Sequence, residues 1–282
     1  MENTKLTKIL SKVEAFPSMP AAGTRLLALL EEPEVSVQNV EDVLRYDPGL
    51  TANVLKLSNS AYFGIPARIG SVKQAIVLLG LKRLIQLVIA SCVGAVMNKS
   101  IPGYNMPPGN LWRHSIAVSL ATEALVKDKK NLDAEDFFTA ALLHDIGKLV
   151  LGNFVKEDFG AIESLTAKGI SFVVAENMII GTDHAEIGAK ILALWSFPKD
   201  VVSAVRWHHN PEAADSSSMQ IDVVHLSNLL CQTNSTGNGL GQPVELSAAV
   251  IERLGIEITQ FETISEKISK WVDELSEALT FK

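Results

Sequence analysis

Apolar residues recur at three- and four-residue intervals along almost the whole chain, and the strict alternation of a half-buried strand is scarce. That period commits the backbone to helices, because the same stripe laid in a strand would turn half its apolar side chains toward water. The reading is an all-α protein. With 282 residues, 47% of them hydrophobic, the chain has ample material for a core, in one large domain or two lobes.

Helix boundaries are marked by short polar signals. Pro17 and Pro20 flank a turn before a helix through Leu26, Leu27, Leu29 and Leu30. Ser36 can cap VQNVEDVLRY, and Asp47-Pro48 is a cap followed by proline at the first helical position. Ser71 with Gln74 has the spacing of a capping box. Gly80 bends or ends that helix before LKRLIQLVIA continues. Asp133 is placed as the cap of AEDFFTAALLH, a helix apolar on nearly all sides and so expected to be central. Asp183 with Glu186 marks another start. Asn210–Ser218 and Asn234–Pro243 read as loops. From about Thr259 to Leu279 the pattern is an amphipathic helix with Ile264, Ile268, Trp271, Val272, Leu275 and Leu279 on one face. The stretch Ile101–Asn110, with Pro102, Gly103, Pro107, Pro108 and Gly109, is placed as a lobe junction, dividing residues 1–104 from 105–282.

Charge and composition exclude some roles. Twenty-five Lys and Arg against 32 Asp and Glu leave a net charge of −7. Nucleic-acid binding needs clustered cations, and the short groups Lys82-Arg83 and Lys127–Lys130 form no basic stripe. The oiliest run, residues 75–96, is interrupted by Lys82 and Arg83. A bilayer span wants about 20 nearly uncharged apolar residues, so a buried helix is expected and no membrane partner. Cys92 and Cys231 sit in apolar stretches and read as reduced thiols of a cytoplasmic protein. MENTKLTKIL lacks the apolar segment of a secretory signal.

The chemistry-bearing residues gather in the second half. All six histidines lie between His114 and His225, around the adjacent pair His144-Asp145 in LLHDIGKL. Imidazole nitrogen and carboxylate oxygen together suit Fe, Mn, Ni or Zn. His114 stands in LWRHSIAVSLA, His184 in DHAEIGAKIL, and His208-His209 in WHHNPE. Read alone, the last pair could be a helix C-terminus facing solvent, where imidazolium suits the dipole. His225 reads equally as a core histidine or a neighbour of the site.

The order His…His-Asp…His…His-His resembles the HD phosphohydrolase superfamily, and that resemblance implies one or two divalent metals that activate water against a phosphate ester. It places His114, His144 and Asp145 on a first metal and His184, His208 and His209 on a second, with Asp145 and Lys148 as candidate catalytic groups and Lys148 meeting a phosphate. Two departures stand out. Asn228, in VVHLSNLLCQT, occupies the position where the superfamily carries a closing Asp, and as a candidate metal ligand it offers a carbonyl oxygen without charge. WHHNPEAADSSS has neither the Glu nor the GYP triplet of HD enzymes that hydrolyse cyclic di-GMP, so that activity is not expected.

The first half narrows the resemblance. FPSMPAAGTRLLALL, then VEDVLRYDPGLTANVLKLSNSAYFG, then IGSVKQAIVLLGLKRLIQLVIA follow in the order found in the HDOD family of bacterial signalling output domains. This resemblance covers nearly the whole chain and implies a two-lobed helical fold, with N-terminal helices packed on an HD-like core. It also implies a role in signal transduction through protein partners. The alternative is a metal-dependent phosphohydrolase or phosphodiesterase acting on a nucleotide or small phosphate ester, with a phosphorylated small molecule as ligand. Ala61-Tyr62-Phe63 and Ile101–Asn110 read as ordinary core and linker.

Overall fold

Short polar caps and backbone breaks, set between apolar stripes, cut the chain into helices. The computed structural model describes residues 4–30, 35–127, 129, 132–233 and 247–278. Thr4–Glu14 is α1 and Ala21–Leu30 is α2. Ser36 caps Val37–Arg45 (α3) by accepting from the Asn39 amide, and Asp47 caps Pro48–Ser58 (α4) by accepting from the Leu50 amide. Ser71 caps Val72–Leu79 (α5). The Gln74 side chain, however, accepts from the Gly70 amide at 2.8 Å, one residue before the cap it was expected to close. Gly80, at φ +88°, ends α5 outright, so the oily run becomes two helices, the second being Leu81–Met97 (α6).

After residue 97 come Asn110–Val126 (α7), Glu135–Leu143 (α8), Lys148–Glu157 (α9), Phe159–Thr166 (α10), Phe172–Ile180 (α11) and His184–Leu194 (α12). Lys199–Trp207 (α13), Met219–Thr233 (α14), Ala248–Leu254 (α15) and Ile258–Ala278 (α16) complete the described chain. Asp183 caps α12 through the Glu186 amide at 2.7 Å. Asp133 acts one residue earlier than expected: its carboxylate accepts from the Glu135 amide, and Ala134 is the residue flanking α8. Among the described residues no strand forms, and the single β feature is an isolated bridge between Ile101 and Met106. Leu279, the loop Asn234–Pro243, and Asp128 and Lys130 of the short charged group lie outside the described residues.

The contacts divide the chain into two compact units, one of residues 1–17 and 97–269, the other of residues 18–96 and 270–282. In the second, Leu26, Val40, Leu44, Val54 and Leu57 form a fully buried core. Tyr62 and Phe63 are half-buried and pack edge to face, with centroids 5.1 Å apart. Cys92 is half-buried, and burial with Asp47 nearby pushes its thiol up to about 11. In α16, Ile264, Ile268, Val272 and Leu275 are buried.

The first unit holds all six histidines. Its centre is α7, α8 and α14. Both α7 and α8 are buried on most sides. Two small polar residues of α7 are satisfied along its own backbone, Ser119 and Thr122 donating to the carbonyls of Ser115 and Ser119. Arg253 of α15 grips Asp222 of α14 with two bonds of 2.7 Å. Trp195 donates to the Pro17 carbonyl at 3.1 Å and packs on Phe16, docking the end of α1 beside α12. The Pro- and Gly-rich stretch after residue 100 turns its apolar side chains inward: Ile101, Tyr104 and Met106 are 2% exposed or less. Its turn Pro102–Tyr104 lies on α9, and a Cβ on Gly103 would fall 2.1 Å from the Gly152 carbonyl. Pro and Gly there shape a tight turn against a helix.

Among the described residues one helical stretch, Glu135–Glu157, is long and apolar enough to cross a membrane, and 78% of its apolar 18-residue window is buried in the protein. It carries His144 and Asp145 at its middle. The backbone turn that follows them sets the approach of α12: a Cβ on Gly147 would fall 2.0 Å from the His184 carbonyl oxygen and 2.6 Å from the Gly188 nitrogen. Gly147→Ala is expected to lower stability by roughly 1–3 kcal/mol, because neither backbone can yield freely. Gly160→Ala, with nothing within 4 Å of its new methyl, is expected to raise stability by up to about 1 kcal/mol in α10. Urea midpoints followed by circular dichroism compare the two, and equal midpoints would disprove a backbone contact at Gly147.

Candidate metal centre

Six helices and one turn deliver the polar side chains. His114 comes from α7, His144 from the end of α8, Asp145 from the turn 144–147 and Lys148 from the start of α9. His184 is the first residue of α12, His208 and His209 end α13, and Asn228 lies on α14. His144, Asp145 and His208 are 0% exposed, and His114, His184, Lys148 and Asn228 are 3% or less. The solvent-facing alternative for His208-His209 therefore fails at His208, which turns inward.

Asp145 is the hub, and its two oxygens face different groups. Oδ2 lies 2.5 Å from Lys148 Nζ, 3.4 Å from His144 Nε2 and 3.6 Å from His114 Nε2. Oδ1 lies 3.3 Å from His184 Nε2 and 3.8 Å from His208 Nε2. His184 Nε2 is 2.9 Å from His209 Nε2. Two donor groups result, Asp145 with His184, His208 and His209, and Asp145 with His114 and His144; within each, the ligand-type atoms lie within 4.8 Å of one another.

Backbone and carboxylate acceptors aim the rings. His144 Nδ1 faces the Ala141 carbonyl and His208 Nδ1 the Val205 carbonyl, each at 2.7 Å. A carbonyl can only accept, so Nδ1 carries the hydrogen and Nε2 keeps its lone pair for the cluster. His184 Nδ1 lies 2.7 Å from Glu176 Oε2, which also accepts from the His184 amide at 3.1 Å. Tyr104 donates its hydroxyl to the other oxygen of Glu176. The Tyr104 ring face also lies 5.5 Å from Lys148 Nζ. His225 Nδ1 sits 2.7 Å from the His208 carbonyl and so braces the end of α13. His114 differs: its Nε2 is 3.1 Å from Asn228 Oδ1, which also accepts from Gln232 at 3.3 Å.

The donor set fits a divalent ion. His144 Nε2, His208 Nε2 and Asp145 Oδ1 are buried without a hydrogen-bond partner, a condition that costs about 1–3 kcal/mol per group. Imidazole nitrogens and a carboxylate oxygen, with His144, His184 and His208 each aimed by an outer acceptor, are the ligand types that Fe, Mn, Ni or Zn accept. Asp145, His184, His208 and His209 could hold such an ion, as could His114, His144 and Asp145.

Tyr104 and Glu176 escaped the sequence reading. Tyr104 sits in a stretch read as a linker. Glu176 carried a usable signal, being the one charged residue in the apolar helix FVVAENMII. Lys148, assigned by resemblance to a phosphate contact, rests its ammonium on Asp145.

Electrostatics follow from burial and neighbours. Burial opposes ionisation of Asp145, but Lys148 and His144 outweigh it and hold the carboxyl well below its usual range. Burial depresses His184 as well, yet Glu176 and Asp145 push it up to about 9. Burial lowers His114 to about 3, and it lowers His208, His209 and His225 too. These four rings are neutral when folded and take up protons on unfolding below their ordinary 6.5. Metal-free protein should therefore lose stability as pH falls from about 6.5 toward 3. His184 acts oppositely: its contribution is full below 6.5 and is lost as pH rises through about 9. Urea unfolding of chelator-treated protein between pH 4 and 9 checks both limbs, and a flat profile on the acid side would contradict neutral buried rings.

A family model for the HDOD domain matches residues 16–211. An uncharacterised protein of Treponema pallidum is 25% identical over 232 residues, covering 81% of this chain and 44% of its own length. The chain thus spans less than half of that relative. An HDOD domain protein of unknown function from Geobacter sulfurreducens has the same fold, with a TM-score of 0.81 at 23% identity over 99% of this chain and 98% of its own. A provisionally named phosphohydrolase from Shewanella amazonensis SB2B gives a TM-score of 0.73 at 26% identity, covering 99% of both chains.

Proposed function

The chain belongs to the HDOD domain family, and on that premise we propose that it is a bacterial signalling module, cytoplasmic in setting, that acts by binding a protein partner around a buried divalent-metal centre. The observation that carries this reading is the closure of the hub. Asp145 is fully buried, and Lys148 already neutralises it at 2.5 Å. A hydrolytic centre needs a phosphoryl group brought up to ionised water. Here the carboxylate on which that chemistry would turn is engaged by the chain's own ammonium. Asn228, a neutral group beside His114, adds no second carboxylate.

When bound, a divalent ion at these residues lowers the pKa of a coordinated water and clamps phosphate oxygens. That chemistry is the second reading, a metal-dependent phosphohydrolase or phosphodiesterase acting on a nucleotide or small phosphate ester, and one feature favours it. A cavity of about 260 Å³ bounded by Asn177, Asp183, Arg206, Trp207 and His209 reaches the Oδ1 side of the cluster. Arg206, whose guanidinium lies 4.4 Å from the Trp207 ring centroid, could meet the anionic group of a phosphorylated ligand there. The name of the Shewanella neighbour points the same way. GYP-type hydrolysis of cyclic di-GMP is set aside, because WHHNPEAADSSS lacks that signature.

Protein purified without chelator or nickel column is assayed for metal and then against a panel of phosphatase and phosphodiesterase substrates. Bound divalent metal is expected, with no turnover above that of Asp145→Ala. Turnover present in the natural sequence and abolished by Asp145→Ala would replace the signalling reading with the enzyme.

A further inference from the structure

We propose that the histidine cluster holds one divalent cation rather than two, bound on the Oδ1 side of Asp145, because Lys148 serves as a built-in cation on the Oδ2 side. This rests on the metal-centre reading above and deepens it.

The two donor groups look alike in residue type but differ in what their atoms are doing. On the Oδ2 side, the carboxylate oxygen is taken by Lys148 Nζ at 2.5 Å. His114 Nε2 faces the Asn228 carbonyl oxygen at 3.1 Å. That oxygen is also a hydrogen-bond acceptor for Gln232. His114 Nε2 therefore carries a hydrogen and offers no lone pair. Only His144 Nε2 remains as a ready donor. A dication placed among these atoms would sit beside the Lys148 ammonium, with like charges in a site shielded from water. Lys148 cannot simply swing aside into solvent: it is 3% exposed, with the Tyr104 ring 5.5 Å from its ammonium.

On the Oδ1 side the accounting runs the other way. Asp145 Oδ1 and His208 Nε2 have no hydrogen-bond partner. His208 and His184 are each aimed from behind by an acceptor on Nδ1, the Val205 carbonyl and the Glu176 carboxylate respectively. His184 Nε2 and His209 Nε2 converge to 2.9 Å, so one of the two carries a hydrogen, which an incoming ion displaces. Glu176 is fully buried and brings a second negative charge to this side through His184. Three imidazoles and one carboxylate oxygen make an N3O donor set for one ion of the Fe, Mn, Ni or Zn class.

The test is metal stoichiometry and site of binding, read without any activity. Chelator-stripped protein is titrated with Co²⁺ and with Zn²⁺ by calorimetry, the bound metal counted by elemental analysis, and the visible spectrum of the Co²⁺ form recorded. The natural sequence is expected to take one equivalent. His209→Gln should weaken its binding roughly tenfold or more and change the Co²⁺ spectrum, whereas His114→Gln should leave both the stoichiometry and the spectrum as they were. Lys148→Met combined with Asn228→Asp should admit a second equivalent. Should that pair fail to fold, by circular dichroism, the contrast between His209→Gln and His114→Gln still decides. Two equivalents in the natural sequence, or one that is lost in His114→Gln and kept in His209→Gln, would overturn the one-cation assignment alone. No bound metal under any condition would overturn it together with the metal-centre reading.

Discussion

A carboxylate taken fully out of water is costly unless cations and hydrogen bonds replace its hydration, and that requirement at Asp145 organises the larger unit. The effective penalty is several kcal/mol per ion. Lys148 supplies a charge at 2.5 Å, and imidazoles from α7, α8, α12 and α13 surround the two oxygens. Each of those helices must therefore end, or turn a face, at one point. The Asp183 cap starts α12 so that its first residue is His184. The close approach at Gly147 lets that helix reach the turn carrying Asp145. The apolar core and the polar hub are thus one packing problem.

A second layer of acceptors gives the hub its polarity. The carbonyls of Ala141 and Val205 and the Glu176 carboxylate fix which nitrogen of each ring is protonated. Tyr104 ties this layer together by donating to Glu176 while presenting its ring to Lys148. Through Tyr104, the buried turn after residue 100 is part of the chemistry and more than a connector. Because Asn228 and Lys148 act on the same side of Asp145, a nearly symmetric set of histidines becomes electrostatically lopsided.

Much of this was legible from local chemistry. Ser36, Asp47, Ser71 and Asp183 cap helices where their positions predicted, because a cap depends only on a side chain and an amide two or three residues away. The convergence of His114, His144, Asp145, His184, His208 and His209 was readable as a motif order, since buried imidazoles on oily helices need one another or an ion. What could not be read were the long-range partners. Nothing local to Tyr104 tells it that Glu176 lies across the unit. Pro and Gly around residue 105 look the same whether they form a solvent loop or a turn pressed on α9. Motif order likewise carries no sign that the Lys148 ammonium rests on Asp145.

The buried lone pairs have an energetic consequence that bears on a signalling role. His144 Nε2, His208 Nε2 and Asp145 Oδ1 lack partners in the folded chain, and each such atom subtracts from stability. An ion bound through Asp145 Oδ1 and His208 Nε2, and bound only weakly by the unfolded chain, adds stability by mass action, about 2.7 kcal/mol when present at 100 times its dissociation constant. The gain falls on the joint between the turn carrying Asp145, α12 and the end of α13, since these carry the ligating atoms. Occupancy of the centre can therefore set the rigidity of the unit without any bond being made or broken. A centre that stiffens its scaffold can control partner binding. It needs no carboxylate at position 228, which Asn228 does not supply.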